Sequence, residues 1–290
     1  MLNIYNDTSP NFYVVGDLHG NFNDLLSMFK RYSMTDTSVI VAGDCGLGFT
    51  SLEGDKYSLS KLNKYCSKNN CIVYFVRGNH DNPQYFRDKV IETSVFKCVP
   101  DYSIICNLNK DTGELNFTVL CVGGATSIDR TWRIRTYQDR LLSYMRYHGG
   151  NEQEALENVP KGYWEDEAPI YDEQSLNELL DNGVTIDYVV THTCPSFCEP
   201  TTKDGIDGWL AKDEGLNAVL DEERVIMDKL SSWLWKRGRA PKKWLYGHFH
   251  YHAFNSLNGI DYIMLDMSRN GTCDMYELKK MMKNDTNRIA

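Results

Sequence analysis

Five short motifs contain most of the residues in this chain that are suited to chemistry. They are GDLHG at 16–20, GDCG at 43–46, RGNHD at 77–81, THT at 191–193 and GHFH at 247–250. Five of the seven histidines lie in these motifs. Carboxylate, imidazole and amide groups together suit manganese, iron or zinc. In extended backbone, D-x-H and H-x-H place two side chains on one side of the chain, so the motifs indicate a metal site.

Each motif directly follows a short apolar run that is typical of a buried strand. The predicted strands are 12–15, 38–42, 71–76, 117–122, 187–190, 243–246 and 261–267. Helical spacing of apolar residues predicts helices at 21–32, 172–181 and 220–237. The alternation indicates an α/β protein with functional residues on loops at the strand ends. A lone H-x-H or GDxHG is often an ordinary histidine pair or turn, but five such motifs after strands argue against that interpretation.

Length and composition predict one domain spanning residues 1–290. The chain has 42% hydrophobic and 24% charged residues, as ordinary globular proteins do. At about 127–173 the strand–helix rhythm is interrupted, first by Arg, Tyr and Trp and then by acidic residues. That segment does not have the composition of a linker. We therefore expect it to be an ordered insertion over the active-site face.

The cysteines indicate the cellular compartment, and the charge balance limits the classes of partner that the chain could bind. Nine scattered cysteines are typical of free thiols in a reducing, cytoplasmic compartment, and the pair Cys194 and Cys198 is only a weak zinc signal. No signal peptide or run of about 20 apolar residues is evident, so no membrane association is expected. The net charge of −9 argues against general nucleic-acid binding. A bound metal pair would invert that sign locally, which keeps a nucleotide or a nucleic-acid end possible as substrate.

Taken in order, the five motifs resemble the signature of the calcineurin-like metallophosphoesterase superfamily, D-x-H, G-D, G-N-H-[DE], H and G-H-x-H. The resemblance covers residues 16–250 and implies an α/β fold, a four-layer α-β-β-α sandwich with two central mixed sheets. It also implies two divalent transition-metal ions, manganese in the first instance, with iron and zinc as alternatives. By that resemblance one metal is held by Asp17, His19, Asp44 and His250. The second is held by Asp44, Asn79, His192 and His248, with Asp44 bridging.

The same resemblance makes His80 a catalytic residue beside the metals. Two ions about 3.5–4 Å apart clamp phosphate oxygens and lower the pKa of a water to give hydroxide. An imidazolium at His80 then supplies the proton that the leaving group needs. The alternative for His80 is a purely structural role next to the ligands.

One position departs from the Ser/Thr protein phosphatases of the superfamily. Those enzymes extend the second motif to G-D-x-x-D-R-G, in which Asp orients the catalytic histidine and Arg binds phosphate. Here Leu47 and Gly48 occupy those two places. The chain therefore resembles the bacterial and phage enzymes more than the protein phosphatases, and another residue must bind phosphate.

Candidates for that role lie in the insertion. Its start, SIDRTWR at 127–133, and YWEDE at 163–167 resemble S-I-D-[KR]-x-x-R and W-W-x-x-E of bacterial and phage enzymes, with Tyr163 replacing the first Trp. Arg133, and next Arg130, are the predicted phosphate ligands because the planar guanidinium suits phosphate oxygens. An ion-paired or solvated surface is an equally good interpretation of these arginines. Trp132 and Trp164 are expected to pack rather than to stack on a base.

The sequence thus predicts a metal-dependent phosphoric ester hydrolase that cleaves a phosphomonoester or phosphodiester of a small molecule or nucleotide. Two alternatives stay open. One is a metal-binding scaffold with weak catalysis, and the other is a nuclease of the same superfamily. The substrate, the native metals and the oligomeric state are not determined by the sequence.

Overall fold

The computed structural model describes residues 2–201 and 205–280. The strands are β1 (Ile4–Asp7), β2 (Asn11–Val15), β3 (Thr37–Ala42), β4 (Ile72–Val76), β5 (Phe96–Val99), β6 (Ser103–Leu108), β7 (Leu115–Val122), β8 (Tyr188–Thr191), β9 (Lys243–Tyr246), β10 (Ala253–Leu257), β11 (Ile260–Met264) and β12 (Met275–Leu278). The helices are α1 (Phe22–Arg31), α2 (Leu52–Asn69), α3 (Pro83–Arg87), α4 (Arg130–His148), α5 (Glu152–Asn158), α6 (Glu173–Asp181), α7 (Asp207–Leu210) and α8 (Leu216–Lys236).

The strands form two mixed sheets. The five-stranded sheet has the order β12-β2-β3-β4-β5, and in it only β12 is antiparallel to its neighbour. The seven-stranded sheet has the order β1-β6-β7-β8-β9-β11-β10, with β7, β8, β9 and β11 parallel. The strands that precede the five motifs are therefore β2, β3 and β4 in one sheet and β8 and β9 in the other.

Alternation along the strands builds a core on both faces of each sheet. In β3, Val39 and Val41 pack toward α1 and α2, whereas Ile40 and Ala42 pack toward the other sheet. The facing sheet contributes Val119 and Leu245, among others, to this middle layer. Its outer face is covered by α6 and α8. The result is the predicted four-layer α-β-β-α sandwich.

The helices and strands predicted at the motifs are confirmed. Helices α1 and α6 match the predictions within one or two residues, and α8 begins four residues earlier than expected. Segment 127–173 carries α4 and α5 and lies between β7 and α6. Within the described residues, no helix combines the length and apolar character needed to cross a membrane.

Candidate metal centre

The five motifs meet at one end of the molecule because they all follow the carboxyl ends of parallel strands. The five-stranded sheet supplies the motifs after β2, β3 and β4, and the seven-stranded sheet supplies those after β8 and β9. The predicted ligands brought together are Asp17, His19, Asp44, Asn79, His192, His248 and His250.

One group of four side chains lies around the end of β2. The ligand atoms of Asp17, His19, Asp44 and His250 all lie within 4.8 Å of one another. His250 Nε2 is 3.2 Å from Asp17 Oδ2, and His19 Nε2 is 3.0 Å from His250 Nε2. His19 Nε2 also lies 3.6 Å from Asp44 Oδ2. Two carboxylates and two imidazoles at these distances could hold one divalent cation.

A second group shares Asp44 with the first. Asp44, His192 and His248 place their ligand atoms within 4.8 Å of one another. His192 Nε2 is 3.1 Å from Asp44 Oδ1 and 3.1 Å from Asn79 Oδ1. His192 Nδ1 lies 2.8 Å from the carbonyl oxygen of Ala42, which directs Nε2 toward the centre. Asp44 thus presents one carboxylate oxygen to each group, as a bridging ligand would.

The backbone is strained where the ligands are presented. His19, Asp44, His248 and His250 all have φ between 46° and 73°, the left-handed region that non-glycine residues seldom adopt. Gly78 shows why a glycine precedes Asn79, since a Cβ there would collide with the side chain of Asp44 and the ring of His192. Such strain and crowding are typical of a site whose side chains must converge on a small volume.

The charges of the site favour a bound cation. Burial alone would lower the pKa of His192, but the adjacent Asp44 and Asp17 carboxylates raise it to about 10. Burial and the positive charge of His192 hold the pKa of His248 well below its usual range. A proton on His192 Nε2 would occupy the position between Asp44 and Asn79 that suits a metal ion. The oxygen and nitrogen donors present therefore fit a pair of divalent transition metals.

Asp81, the last residue of RGNHD, has a structural role that the sequence did not predict. Its buried carboxylate accepts hydrogen bonds from the backbone N–H groups of Cys45, Gly46, Leu47 and Gly78 at 2.8–3.0 Å. Burial, followed by the charge of Asp44, raises the pKa of Asp81 to about 7. The residue joins the loop that carries Asp44 to the loop that carries Asn79. The acidic residue of the G-N-H-[DE] signature was the signal for this role.

His80 lies beside the ligands and is surrounded by residues from other segments. Its backbone N–H donates to Asp44 Oδ1 at 2.7 Å, and its ring stacks on Phe49. Arg133 Nη2 is 2.5 Å from His80 Nε2, and Arg133 Nε pairs with Asp129 at 2.7 Å. Arginine can only donate, so His80 Nε2 accepts this hydrogen bond. Burial first, and then the guanidinium, lower the pKa of His80 to about 4.

The structure separates the two predicted phosphate ligands. Arg133 is buried against His80, whereas Arg130 lies one turn earlier on α4 and pairs with both oxygens of Asp213 at 2.6 and 2.9 Å. Trp164 packs edge-on against Phe49. Trp132 is 57% exposed, so it does not pack as expected.

The metal centre opens into a cavity of about 700 Å³. Asp44, Asn79, His80, His248 and His250 line it, together with Arg133. The lining also includes the apolar side chains of Ile206, Trp209, Leu220 and Phe249 and the charged side chains of Glu199, Glu223 and Arg224. That volume and the mixture of apolar and polar lining side chains suit a small organic ligand.

The family model for calcineurin-like phosphoesterases matches residues 10–252. Among solved structures, the phosphopantetheinyl hydrolase of Mycobacterium tuberculosis is 14% identical, with a TM-score of 0.43 over 90% of this chain and 91% of that one. A putative 5′-nucleotidase of Staphylococcus aureus is 11% identical, with a TM-score of 0.38 over 95% of this chain and 56% of that one. By the family match, which includes all the motifs described above, the chain belongs to the calcineurin-like phosphoesterase family, whose members are phosphoester hydrolases.

Proposed function

We propose that the protein is a dinuclear-metal-dependent phosphoesterase that hydrolyses a phosphomonoester or phosphodiester of a small molecule or nucleotide. The observation that carries the proposal is the convergence of seven potential ligands, four of which (Asp44, Asn79, His248 and His250) line the 700 Å³ cavity together with His80. Manganese is the proposed metal, with iron or zinc as alternatives. The net charge of −9 supports a small substrate over general nucleic-acid binding.

The proposed chemistry divides between the metals and the side chains. Two divalent cations, when bound, supply positive charge that stabilises phosphate oxygens and lowers the pKa of a water molecule. Asp44 belongs to both groups of ligands and would bridge the two cations. Arg133 binds a phosphate oxygen, which would take the place of His80 Nε2 as the acceptor of its N–H group. His80, released from that contact and next to an anion that raises its pKa, would take up a proton from solvent on Nε2. It would then give that proton to the oxygen of the leaving group and return to the neutral ring.

Arg130 has less support as a phosphate ligand than Arg133. Its guanidinium is occupied by Asp213, and it does not line the cavity among the described residues. We propose it only as a second contact with the phosphate. Since Asp129 and Arg133 of segment 127–173 line the cavity, we also propose that this segment is an insertion over the active-site face of a single domain spanning 1–290.

The nine cysteines support the proposed cytoplasmic compartment. All of them are free thiols in the structure, and seven are buried. Cys194 and Cys198 belong to neither group of candidate metal ligands among the described residues. Buried free thiols are typical of proteins kept in a reducing compartment.

The test is hydrolysis of phosphomonoesters, phosphodiesters and cyclic nucleotides by the manganese-loaded protein. Asp44→Asn should lose bound metal and activity, because one carboxylate serves both groups. Asp55→Asn is the matched control, since Asp55 is also buried but accepts hydrogen bonds from Gly48 and Thr50 away from the ligands. Full activity of Asp44→Asn after chelation and metal return would exclude the two-metal assignment.

The role of His80 has its own test. His80→Ala should retain metal and lose about 10²–10⁴-fold in turnover of alkyl phosphates. Nitrophenyl phosphates, whose leaving group needs no proton, should lose much less. An equal loss for both substrates would make His80 a positioning residue.

A further inference from the structure

A buried chain of hydrogen bonds joins the insertion to Asn79. Glu167 accepts from the backbone N–H of Ser127 at 2.6 Å and from its hydroxyl at 2.8 Å. The hydroxyl oxygen of Ser127 in turn accepts from Asn79 Nδ2 at 3.1 Å. All three side chains are buried, with 1–4% of their surface exposed.

The direction of these bonds determines how the amide of Asn79 is oriented. A serine hydroxyl has one proton, and here it is donated to the Glu167 carboxylate. Only lone pairs of Ser127 then face Asn79, so the amide nitrogen must point toward Ser127. The amide oxygen consequently points toward His192 Nε2, 3.1 Å away, in the second group of candidate ligands. This orientation is the productive one, since the amide oxygen is the atom of Asn that binds a metal.

A second connection ties the same glutamate to the same motif. The backbone carbonyl of Glu167 accepts from Arg77 Nη1 at 2.6 Å, and Arg77 lies two residues before Asn79. Arg77 is held in turn by Asp101 through two hydrogen bonds. Glu167 is therefore fixed both at its side chain and at its backbone, which makes it a rigid anchor for Ser127.

We propose that Glu167 and Ser127 are positioning residues that set the amide orientation of Asn79 and so give the second metal position its affinity. The inference rests on the proposed function, because it needs Asn79 as a ligand. Without metal, burial first, and then the charge of Asp44, raise the pKa of Glu167 to about 8. Cations bound next to Asp44 oppose that effect, so the ionised carboxylate and the metal stabilise each other.

Glu167→Gln tests the proposal. It keeps the shape of the side chain but replaces one accepting carboxylate oxygen with a donating NH₂ group, so one hydrogen bond to Ser127 is reversed. The new NH₂ group must face either the hydroxyl or the N–H of Ser127, and both are donors in the native arrangement. If it faces the hydroxyl, the serine proton turns toward Asn79 and favours the wrong amide orientation. Ser127→Ala only removes the acceptor, so its effect should be smaller.

The readout is a Mn²⁺ titration followed by the electron paramagnetic resonance signal of the free ion. The unsubstituted protein should bind two ions. Glu167→Gln should bind the first with unchanged affinity and the second about 10–100-fold more weakly, the usual effect of losing a partner of a metal ligand. Glu165→Gln is the matched control, since Glu165 is exposed two residues earlier and both affinities should be unchanged.

The outcomes separate the proposals. Fewer than two Mn²⁺ ions in the unsubstituted protein would contradict the proposed function itself. Two tight ions in both the unsubstituted protein and Glu167→Gln would overturn the positioning role alone. If Glu167→Gln instead loses both ions and unfolds at a lower temperature, the Ser127→Ala variant is then the test. Weaker binding of only the second Mn²⁺ by Ser127→Ala supports the positioning role. Unchanged affinities for both ions overturn it.

Discussion

The hydrogen bond from Arg133 to His80 decides which nitrogen of that imidazole is free. Arg133 Nη2 occupies His80 Nε2, so a neutral ring carries its proton on Nδ1. Burial is the larger cause of the lowered pKa of His80, and the positive charge of Arg133 adds to it. Without substrate, His80 is thus neutral near pH 7. It can act as a proton donor only when Arg133 Nη2 exchanges His80 Nε2 for another acceptor, such as a phosphate oxygen.

Arg133→Met should therefore raise the pKa of His80. The substitution removes a positive charge and leaves Asp129, whose negative charge favours the imidazolium, without its partner. A pH titration of the His80 ring protons by NMR in metal-free protein would measure the change. Arg130→Met is the control, because Arg130 is paired with Asp213. An unchanged His80 titration in Arg133→Met would contradict the electrostatic role of the guanidinium.

Leu47 and Gly48 show why this chain needs an arginine from elsewhere. Leu47 is completely buried in the core under α1 and α2, and its N–H donates to Asp81. Gly48 has φ of 88°, and a Cβ there would collide with Asn82. These positions serve the packing of the loop, so they cannot offer the Asp and Arg of a protein phosphatase. Arg133 reaches His80 from α4 instead.

At the scale of elements, Arg77 links the insertion to the sheets from the end of β4. Its guanidinium donates to the carbonyls of Glu167 and Ala168 and to Asp101. Arg77→Lys should destabilise the protein by roughly 1.5–3 kcal/mol, because an ammonium group cannot reproduce the planar fork. Urea unfolding measures the loss, and limited proteolysis should show earlier cleavage within 127–173.

Arg87→Lys provides the comparison, because Arg87 also contacts the insertion, through Asp166. That pair is exposed, with 59% and 46% of the two side chains accessible to solvent. Exposed ion pairs contribute little, so the change in unfolding free energy should stay within about 0.5 kcal/mol. Equal losses in the two variants would mean that Arg77 does not anchor the insertion.

The elements that the sequence predicted are those in which one local pattern is enough. The ligand motifs are short, and each follows a strand that is buried on both faces, so their positions could be read directly. Helix α2 was not predicted from the sequence. Its buried apolar residues, Leu59, Leu62 and Cys66 among them, are few and lie among many polar residues, so the helical spacing is weak. Strands β10 and β12 were missed because they are short edge strands with few buried residues.

The partners of the site were harder to predict because they are distant in sequence. Ser127 and Glu167 are 40 residues apart, and Asn79 is 48 residues before Ser127. Local propensity carries no information on such contacts, which arise only when the sheets and the insertion pack. For the same reason, the sequence did not show which of Arg130 and Arg133, three residues apart, contacts His80.

At the scale of the whole molecule, the metal centre lies where the two sheets meet. Each group of candidate ligands draws on both: His250 joins Asp17 in the first, and His192 joins Asn79 in the second. The N–H of His248 also donates to Asp17 Oδ1 at 3.0 Å across the two sheets. Cations bound there would link the carboxyl ends of β2, β3 and β4 to those of β8 and β9.

Mn²⁺ should therefore stabilise the whole fold and not only the loops. A ligand at about 100 times its dissociation constant stabilises the folded state by about 2.7 kcal/mol per site, which corresponds to roughly 5 °C for a protein of this size. The shift should shrink as the pH falls, because metal binding requires unprotonated histidines and ionised carboxylates. Calorimetric melting of the protein with and without Mn²⁺ would measure it. Asp44→Asn should show little shift and Asp55→Asn a normal one, whereas equal shifts in both variants would place the stabilising ion outside this centre.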